Sequence, residues 1–320
     1  MRKGQNPAKF LGSVEKPEKI TVVVLTFIPF LSGFYAATLD VLKACLGSIW
    51  ENTDLPYDLM VFDNGSGSEA REYLQDLQRA GRIQYLLLSQ KNLGKGGAWN
   101  VVFGAAPGEI VAFTDSDALF SPGWLSRSVE ILETFPGVGM VTSRPFRTPE
   151  EFFSRTLEWC SQEPEAKLEK GSFIPWEIFR DFDLSLGQAE DDIRARYEST
   201  VDYRLTYRGL TAHAGASHWQ FVGYKSRLQE FLPFDMDRPM GQVRQLDKRM
   251  NDAGYLRLMT AEPLAMNMSN TIELRESRVE ASRRIQVGAS GKAGGFFQIP
   301  VVKRILLYIY DRIFRWYYDS

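Results

Sequence analysis

Glu109-Ile110-Val111-Ala112-Phe113-Thr114-Asp115-Ser116-Asp117 is an apolar run that ends in two aspartates one residue apart. A short run of this kind suits a strand buried on both faces of a sheet. In extended chain, residues i and i+2 project to the same side, so Asp115 and Asp117 are placed to converge on one hard cation or one polar ligand. Two carboxylates held together are costly unless a cation, hydrogen bonds or water satisfy them. An isolated Asp-Ser-Asp is also a common solvated turn. The choice between these readings rests on the neighbouring segments.

Upstream, Ile20-Thr21-Val22-Val23-Val24-Leu25-Thr26-Phe27 is a β-branched run that suits a second buried strand. Leu39, Leu42, Leu46 and Ile49-Trp50 then recur at helical spacing. Asp58-Leu59-Met60-Val61-Phe62 reads as a strand ending in Asp63-Asn64-Gly65-Ser66-Gly67. Residues 68–80 read as a helix capped by Ser68, and residues 83–88 as another strand. A helix starts near Gly94-Lys95-Gly96-Gly97 and carries Trp99, Val102 and Phe103. Downstream, Ser121-Pro122 opens a helix, and Val138-Gly139-Met140-Val141 is a further strand. Strand and helix in alternation predict an α/β fold with a mixed, mostly parallel sheet and helices on both faces. Ligands of such sheets sit at the carboxyl ends of the strands. Thr26, Asp63, Asn92, Asp115 and Asp117 all fall just past strand ends, so they are expected on one sheet edge.

The second half has a different texture. Residues 147–208 are charged and aromatic, with helix-like stretches at 150–159 and 189–203 and no strand rhythm; they are expected to form a helical insertion over the sheet edge. Phe152, Phe153, Trp159, Phe173, Trp176 and Phe179 would glue that insertion to the sheet or, less simply, line a sugar-stacking wall. Residues 221–224 and 254–259 read as late strands, with a helix over 241–253 between them. Residues 288–295 form a glycine-rich loop. From Pro300 on, Val302, Leu306, Ile309, Ile313, Trp316 and Tyr317 share one helical face opposite Lys303, Arg304, Arg312 and Arg315. Such a basic amphipathic helix packs on its own domain or on a second subunit, or lies in a membrane interface. The chain therefore divides into 1–19, an extension; 20–146, a first α/β half; 147–215, the insertion; 216–285, a second half of the same domain; and 286–320, the glycine-rich loop and terminal helix.

Composition excludes several classes. The chain has 320 residues and a net charge of -2, which offers no bulk attraction to nucleic acid. Two cysteines, Cys45 and Cys160, and two histidines, His213 and His218, rule out a disulfide scaffold and a zinc site built on several histidines. The polar first 19 residues lack the apolar core of a signal peptide, and no run of about 18 apolar residues occurs. A reduced, cytoplasmic setting is expected, with contact at the cytoplasmic membrane face if the terminal helix binds lipid.

Taken together, four segments in order resemble the family 2 glycosyltransferases of GT-A fold: Leu25-Thr26-Phe27; Val61-Phe62-Asp63-Asn64-Gly65-Ser66; Asn92-Leu93-Gly94-Lys95-Gly96-Gly97-Ala98-Trp99-Asn100; and Asp115-Ser116-Asp117, followed by Pro122-Gly123-Trp124-Leu125. The resemblance is close over 20–146 and loose over 216–270. It implies a nucleotide-sugar-binding domain that moves a sugar from a nucleoside-diphosphate donor to an acceptor hydroxyl with inversion. Thr26 and Phe27 would line the base pocket and Asp63 would bond base or ribose. Asn92, Gly94 and Lys95 would border the nucleoside and diphosphate. Asp117 with Asp115, flanking Ser116, would bind the sugar nucleotide through Mg²⁺ or Mn²⁺. The acceptor would be a glycan, a lipid-linked sugar or a small molecule, as in polysaccharide biosynthesis.

Two departures mark the acceptor half. The family's usual Glu-Asp pair, whose aspartate is the base, falls on Gln242-Val243, neither of which can accept a proton. Asp237 and Asp247 are the alternative carboxylates. The family's metal-site histidine falls in Asn267-Met268-Ser269-Asn270, leaving the Asn267 amide oxygen or His218 as lesser ligands. These departures keep open a non-catalytic sugar-nucleotide binder. A nucleotidyltransferase is the other competitor, disfavoured because Ile28-Pro29-Phe30-Leu31 follows the first strand where a glycine-rich basic loop would be needed.

Overall fold

A computed structural model of the chain describes residues 4–237 and 243–272. The elements run β1 (Ile20–Thr26), α1 (Thr38–Asn52), β2 (Asp58–Asp63), α2 (Ser68–Arg79), β3 (Tyr85–Leu88), α3 (Gly94–Ala105), β4 (Ile110–Asp115), β5 (Ala118–Phe120), α4 (Trp124–Thr134) and β6 (Val138–Thr142). They continue with α5 (Ser154–Gln162), β7 (Ala166–Gly171), α6 (Trp176–Ser185), α7 (Glu190–Ser199), β8 (Asp202–Tyr207), β9 (Leu210–Ala214), β10 (Gln220–Tyr224), α8 (Lys225–Gln229), α9 (Val243–Asp252), β11 (Leu256–Thr260) and β12 (Ala265–Asn267).

Ten strands form one sheet in the order β3-β2-β1-β4-β10-β6-β11-β9-β8-β7, and β12 pairs β5 separately. The pairings make β3, β2, β1, β4, β6, β11 and β8 run one way and β10, β9 and β7 the other. This is the mixed, mostly parallel sheet expected from the sequence. The period of two along each strand divides its side chains between the faces. Val22, Val24, Leu59, Val61, Ile110 and Ala112 pack with residues of α1, α2 and α4 on one face. Val23, Leu25, Met60, Phe62, Val111 and Phe113 pack with Trp99 and Phe103 of α3 and Leu246 and Met250 of α9 on the other. Burial on both faces explains why these strands read as unbroken apolar runs.

Three local expectations are corrected. Ser68 does not cap α2: Gly67 holds the cap position, while the Ser68 hydroxyl bonds Glu69. The helix after β5 begins at Trp124, because Gly123 adopts φ 81°, a left-handed turn after Ser121-Pro122. The segment 147–215 is not purely helical. It carries α5, α6 and α7 but also β7, β8 and β9, which extend the main sheet. The β8 residues Tyr203, Leu205 and Tyr207 are buried in alternation, a period-two signal lost among charged neighbours. Several of its aromatic residues pack inward: Phe153 is buried against Tyr203 and Phe179 against Tyr197, while the half-buried Trp159 meets Tyr207. They fix the segment in place rather than forming an open wall.

Among the described residues, no helix is long and apolar enough to cross a membrane. The glycine-rich loop at 288–295, the amphipathic stretch 300–320 and Gln242 lie outside the described residues.

Candidate functional site

The sheet register places the predicted residues. Thr26 lies opposite Asp63, and Leu25 opposite Asp115, so the carboxyl ends of β1, β2 and β4 finish level. The loop after β2 then meets the loop before α3. Asn64 Nδ2 donates to Asn92 Oδ1 at 3.0 Å and to the Gly94 carbonyl at 3.2 Å, while Asn64 Oδ1 accepts from Leu93 N at 2.9 Å. Asn92 Oδ1 also accepts from Gly94 N at 2.9 Å. Glycine is required where the loops touch. Gly65 has φ 96°, and a Cβ there would sit 3.0 Å from Asn92 N. Gly94 has φ 68° and opens α3. Asn64 carries no role in the sequence reading, yet it is the pin between the two loops.

Asp63 is used differently from the expectation. Its side chain is fully buried, with Oδ1 accepting from Ser66 N at 3.0 Å and Oδ2 from Arg71 Nε at 2.9 Å. Each oxygen thus has a partner within the β2–α2 segment. The Arg71 partner sits in the first turn of α2 and had no motif to reveal it. Thr26 is buried, and its hydroxyl has no hydrogen-bond partner. Phe27 is half-buried, edge-on to Tyr35, whose ring also meets Phe30 and Phe34. An aromatic loop therefore borders the end of β1.

The two aspartates have unlike environments. Asp115 Oδ2 meets Lys95 Nζ at 2.6 Å, and that ammonium also lies 5.5 Å from the Phe113 ring centroid and 5.6 Å from that of Trp99. Lys95 is therefore not a solvated helix start. The Asp115 amide donates to the Trp219 carbonyl at 2.8 Å, and Ser116 N donates to the Leu25 carbonyl at 3.1 Å. Asp117 is steered by the pairing of β5 with β12: its carbonyl accepts from Met268 N at 2.7 Å and its Oδ2 from Asn267 Nδ2 at 3.2 Å. Asp117 Oδ1 is sealed from solvent, with no hydrogen-bond partner among the described residues. Burial, and then the charge of Asp115, push the Asp117 carboxyl up to about 7.

An orphaned oxygen on a buried carboxylate beside a second carboxylate is chemistry that suits a hard divalent cation. The donors are oxygen, and Asp115 and Asp117 supply them. Asn267 does not, because its Oδ1 accepts from Ser269 N at 2.8 Å and its amide NH₂ turns to Asp117. Among the described residues no group of three or more His, Cys, Asp or Glu gathers around one point, so His218 does not join the aspartates as a ligand. Mg²⁺ commonly completes its coordination with phosphate oxygens and water, so two carboxylates are a sufficient protein contribution.

His218 and Asp247 are brought together instead. His218 Nδ1 lies 2.8 Å from Asp247 Oδ2, and Asp247 Oδ1 accepts a short hydrogen bond from Arg257 Nη2. Asp247, with both oxygens engaged and its side chain 10% exposed, is not a free base. Asp237 is exposed in the loop before α9 and is drawn into no cluster.

Residues 33–187 match the family model of glycosyl transferase family 2. An uncharacterized glycosyltransferase of Nostoc sp. is 34% identical over 100 residues, 31% of this chain and 31% of that one. An uncharacterized glycosyltransferase of Methanocaldococcus jannaschii is 24% identical over 134 residues, 42% of this chain and 43% of that one. These matches span less than half the length of either relative. Among solved structures, S. aureus TarS 1–349 aligns with a TM-score of 0.46 at 13% identity, over 86% of this chain and 67% of that one. The mannosyltransferase PcManGT from Pyrobaculum calidifontis, solved with GDP-Man and Mn²⁺, aligns with a TM-score of 0.44 at 19% identity, over 90% and 69%. The matched span holds Asp63, Asn92, Gly94, Lys95, Asp115 and Asp117 around the strand ends of a mixed α/β sheet, and over those residues the chain is similar to glycosyl transferase family 2.

Proposed function

We propose that this chain transfers a glycosyl group from a nucleoside-diphosphate sugar to an acceptor hydroxyl, at the edge formed by the ends of β1, β2 and β4. The observation that carries the reading is Asp117: a carboxylate oxygen buried without a partner, beside Asp115 and its Lys95 counter-ion. Thr26 and Phe27 border the base, with the orphaned Thr26 hydroxyl as one polar contact. Asn92, Gly94 and Lys95 border the ribose and diphosphate. Asp115 and Asp117 would hold Mg²⁺ or Mn²⁺, and such an ion would offset the charge that grows on a departing diphosphate. Lys95, once released from Asp115, is free to meet a phosphate oxygen. The reaction inverts the anomeric carbon: the acceptor oxygen bonds C1 as the C1–O bond to the diphosphate breaks, and the electron pair leaves with the nucleoside diphosphate.

The neighbouring structures solved with UDP-GlcNAc and with GDP-Man and Mn²⁺ supply the donors to try first. The test measures thermal stabilisation by a panel of nucleoside-diphosphate sugars with Mn²⁺, and then release of nucleoside diphosphate from the stabilising donor. A bound ligand raises stability by mass action. Loss of both signals in Asp117→Ala supports the reading, and retained donor consumption in that variant removes the metal role.

A second reading, a sugar-nucleotide binder without turnover, is favoured by one observation: Asp247, a carboxylate proposed to deprotonate the acceptor, is tied to Arg257 and His218. Donor binding without consumption, over glycan and lipid-linked acceptors, would select it.

A further inference from the structure

With the family's usual acidic pair replaced by Gln242-Val243, the acceptor proton needs another destination. The best-constructed titratable group outside the aspartate pair is the chain of hydrogen bonds Arg257–Asp247–His218. Arg257 enters from β11 with its side chain fully buried. Its Nη1 donates to the Phe152 carbonyl at 2.6 Å, and its Nη2 to the Ala216 carbonyl at 2.6 Å and to Asp247 Oδ1. Asp247 is presented by α9, whose Leu246 and Met250 anchor that helix in the core. His218 occupies the turn closed by the Ser217–Gln220 bridge, and its side chain is 26% exposed.

The hydrogen-bond inventory sets the tautomer. A carboxylate paired with a buried guanidinium can only accept, so His218 Nδ1 must donate to Asp247 Oδ2. The lone pair of the neutral ring is then on Nε2, for which no protein hydrogen bond is formed among the described residues. The turn is also registered to the donor edge: the carbonyl of Trp219, the next residue, accepts from the Asp115 amide at 2.8 Å. The imidazole is thus oriented from behind by an ion pair, open in front, and tied to the strand that ends at the aspartates.

We propose that His218 is the general base of the transfer, with Asp247 and Arg257 as positioning residues. The inference rests on the transferase reading above. In the step, the acceptor oxygen forms its bond to C1 while its proton passes to His218 Nε2. The C1–O bond to the diphosphate breaks and the electron pair leaves with the nucleoside diphosphate. The imidazolium is held by Asp247, itself neutralised by Arg257. Asp247 faces the ring from α9 and Arg257 faces Asp247 from β11, and these are the charged groups that hold the imidazole in place.

Two measurements on the full chain test this. The first follows nucleoside diphosphate release from UDP-GlcNAc and GDP-mannose with Mn²⁺, with water and with added glycan acceptors. A positioned general base contributes about 10²–10⁴-fold, so His218→Gln should lower kcat by about 100-fold or more. Its thermal shift with nucleoside diphosphate and Mn²⁺ should be unchanged. Asp247→Asn should lower kcat with little change in donor KM, and Asp247→Glu should recover part of it. The second measurement is nitrogen NMR of the imidazoles, which two histidines make simple. His218 should be the Nδ1–H tautomer in the wild type and lose that preference in Asp247→Asn. A wild type that binds nucleoside diphosphate and turns over donor equally well as His218→Gln overturns the base while leaving the transferase reading intact. A wild type with neither binding nor turnover removes both. An Nε2–H tautomer at His218 overturns the proposal whatever the turnover.

Discussion

Lys95 Nζ sits 2.6 Å from Asp115 Oδ2, where an ammonium occupies one oxygen of the pair read as a cation site. The contact is only 11% exposed on the lysine side, so it is more than a surface ion pair. On the proposed cation role, lysine and metal would compete for Asp115. We expect Lys95→Ala to lower the thermal midpoint of the metal-free protein, because two neighbouring carboxylates then lack a counter-ion. Mn²⁺ alone should restore more than it adds to the wild type, while nucleoside diphosphate should bind at least 10-fold more weakly, the loss of about one charge-assisted contact. Calorimetry with Mn²⁺ and with diphosphate, run separately, checks both halves. An equal or smaller Mn²⁺ shift in the variant refutes the competition.

Asp117 gives a pH prediction with a definite sign. Its carboxyl is raised to about 7 in the folded protein, by burial first and the Asp115 charge second, against 3.8 unperturbed. A raised folded value means that the fold prefers the neutral acid. Relative stability from this group is complete below the unfolded value and is lost as pH rises through about 7. Asp117→Asn removes the ionisation, so in the absence of metal it should raise the midpoint at pH 8 relative to the wild type and have little such effect at pH 4. Roughly 2–4 °C accompanies each kcal/mol in a domain of about this size. Thermal melts of both proteins across that range, in chelator, provide the measurement. A gain independent of pH would mean that the effect is packing rather than charge.

Asn64 tests the loop junction. It makes three hydrogen bonds to the 92–94 loop while only 3% exposed. Asn64→Ala leaves the buried Leu93 amide and Gly94 carbonyl short of partners, at a cost of about 1–3 kcal/mol. Because the same loop carries Gly94 and Lys95, nucleotide binding should fall further than stability does. Denaturant melts and calorimetric titration with nucleoside diphosphate separate the two, and unchanged binding would show that the junction does not shape the nucleotide-facing loop.

Arg257 tests the ion pair behind His218. Removing one member of a buried pair strands the other charge and typically costs about 3–5 kcal/mol. Arg257→Leu should therefore destabilise strongly, whereas adding Asp247→Leu should recover much of the loss. Burial lowers the Arg257 pKa and Asp247 raises it, so the guanidinium depends on this partner. Unfolding curves for the two single variants and the double variant close the cycle. An additive double variant would show that the two side chains are energetically independent.

The strands and the first-half site were legible because both follow from local pattern. Residues buried on both faces must be apolar, and polar residues just past them must fall on one edge once the strands run parallel. Thr26, Asn92, Asp115 and Asp117 are placed near that edge this way. The edge strand β7 and its neighbour β8 were not legible: their charges resemble helix surface, and pairing partners rather than composition decide their state. Asp63 shows the same limit at a single residue. Its motif predicts a ligand contact, but Arg71, eight positions away on α2, takes the available oxygen.

By itself, the sequence determined that Asp115 and Asp117 end a buried strand, since hydrophobic burial and the two-residue period of extended chain are properties of the segment alone. Only the tertiary structure decided what each oxygen faces. Lys95, Asn267, Arg257 and His218 arrive from other elements, and a hydrogen bond of about 3 Å depends on how those elements pack, not on the spacing of residues along the chain.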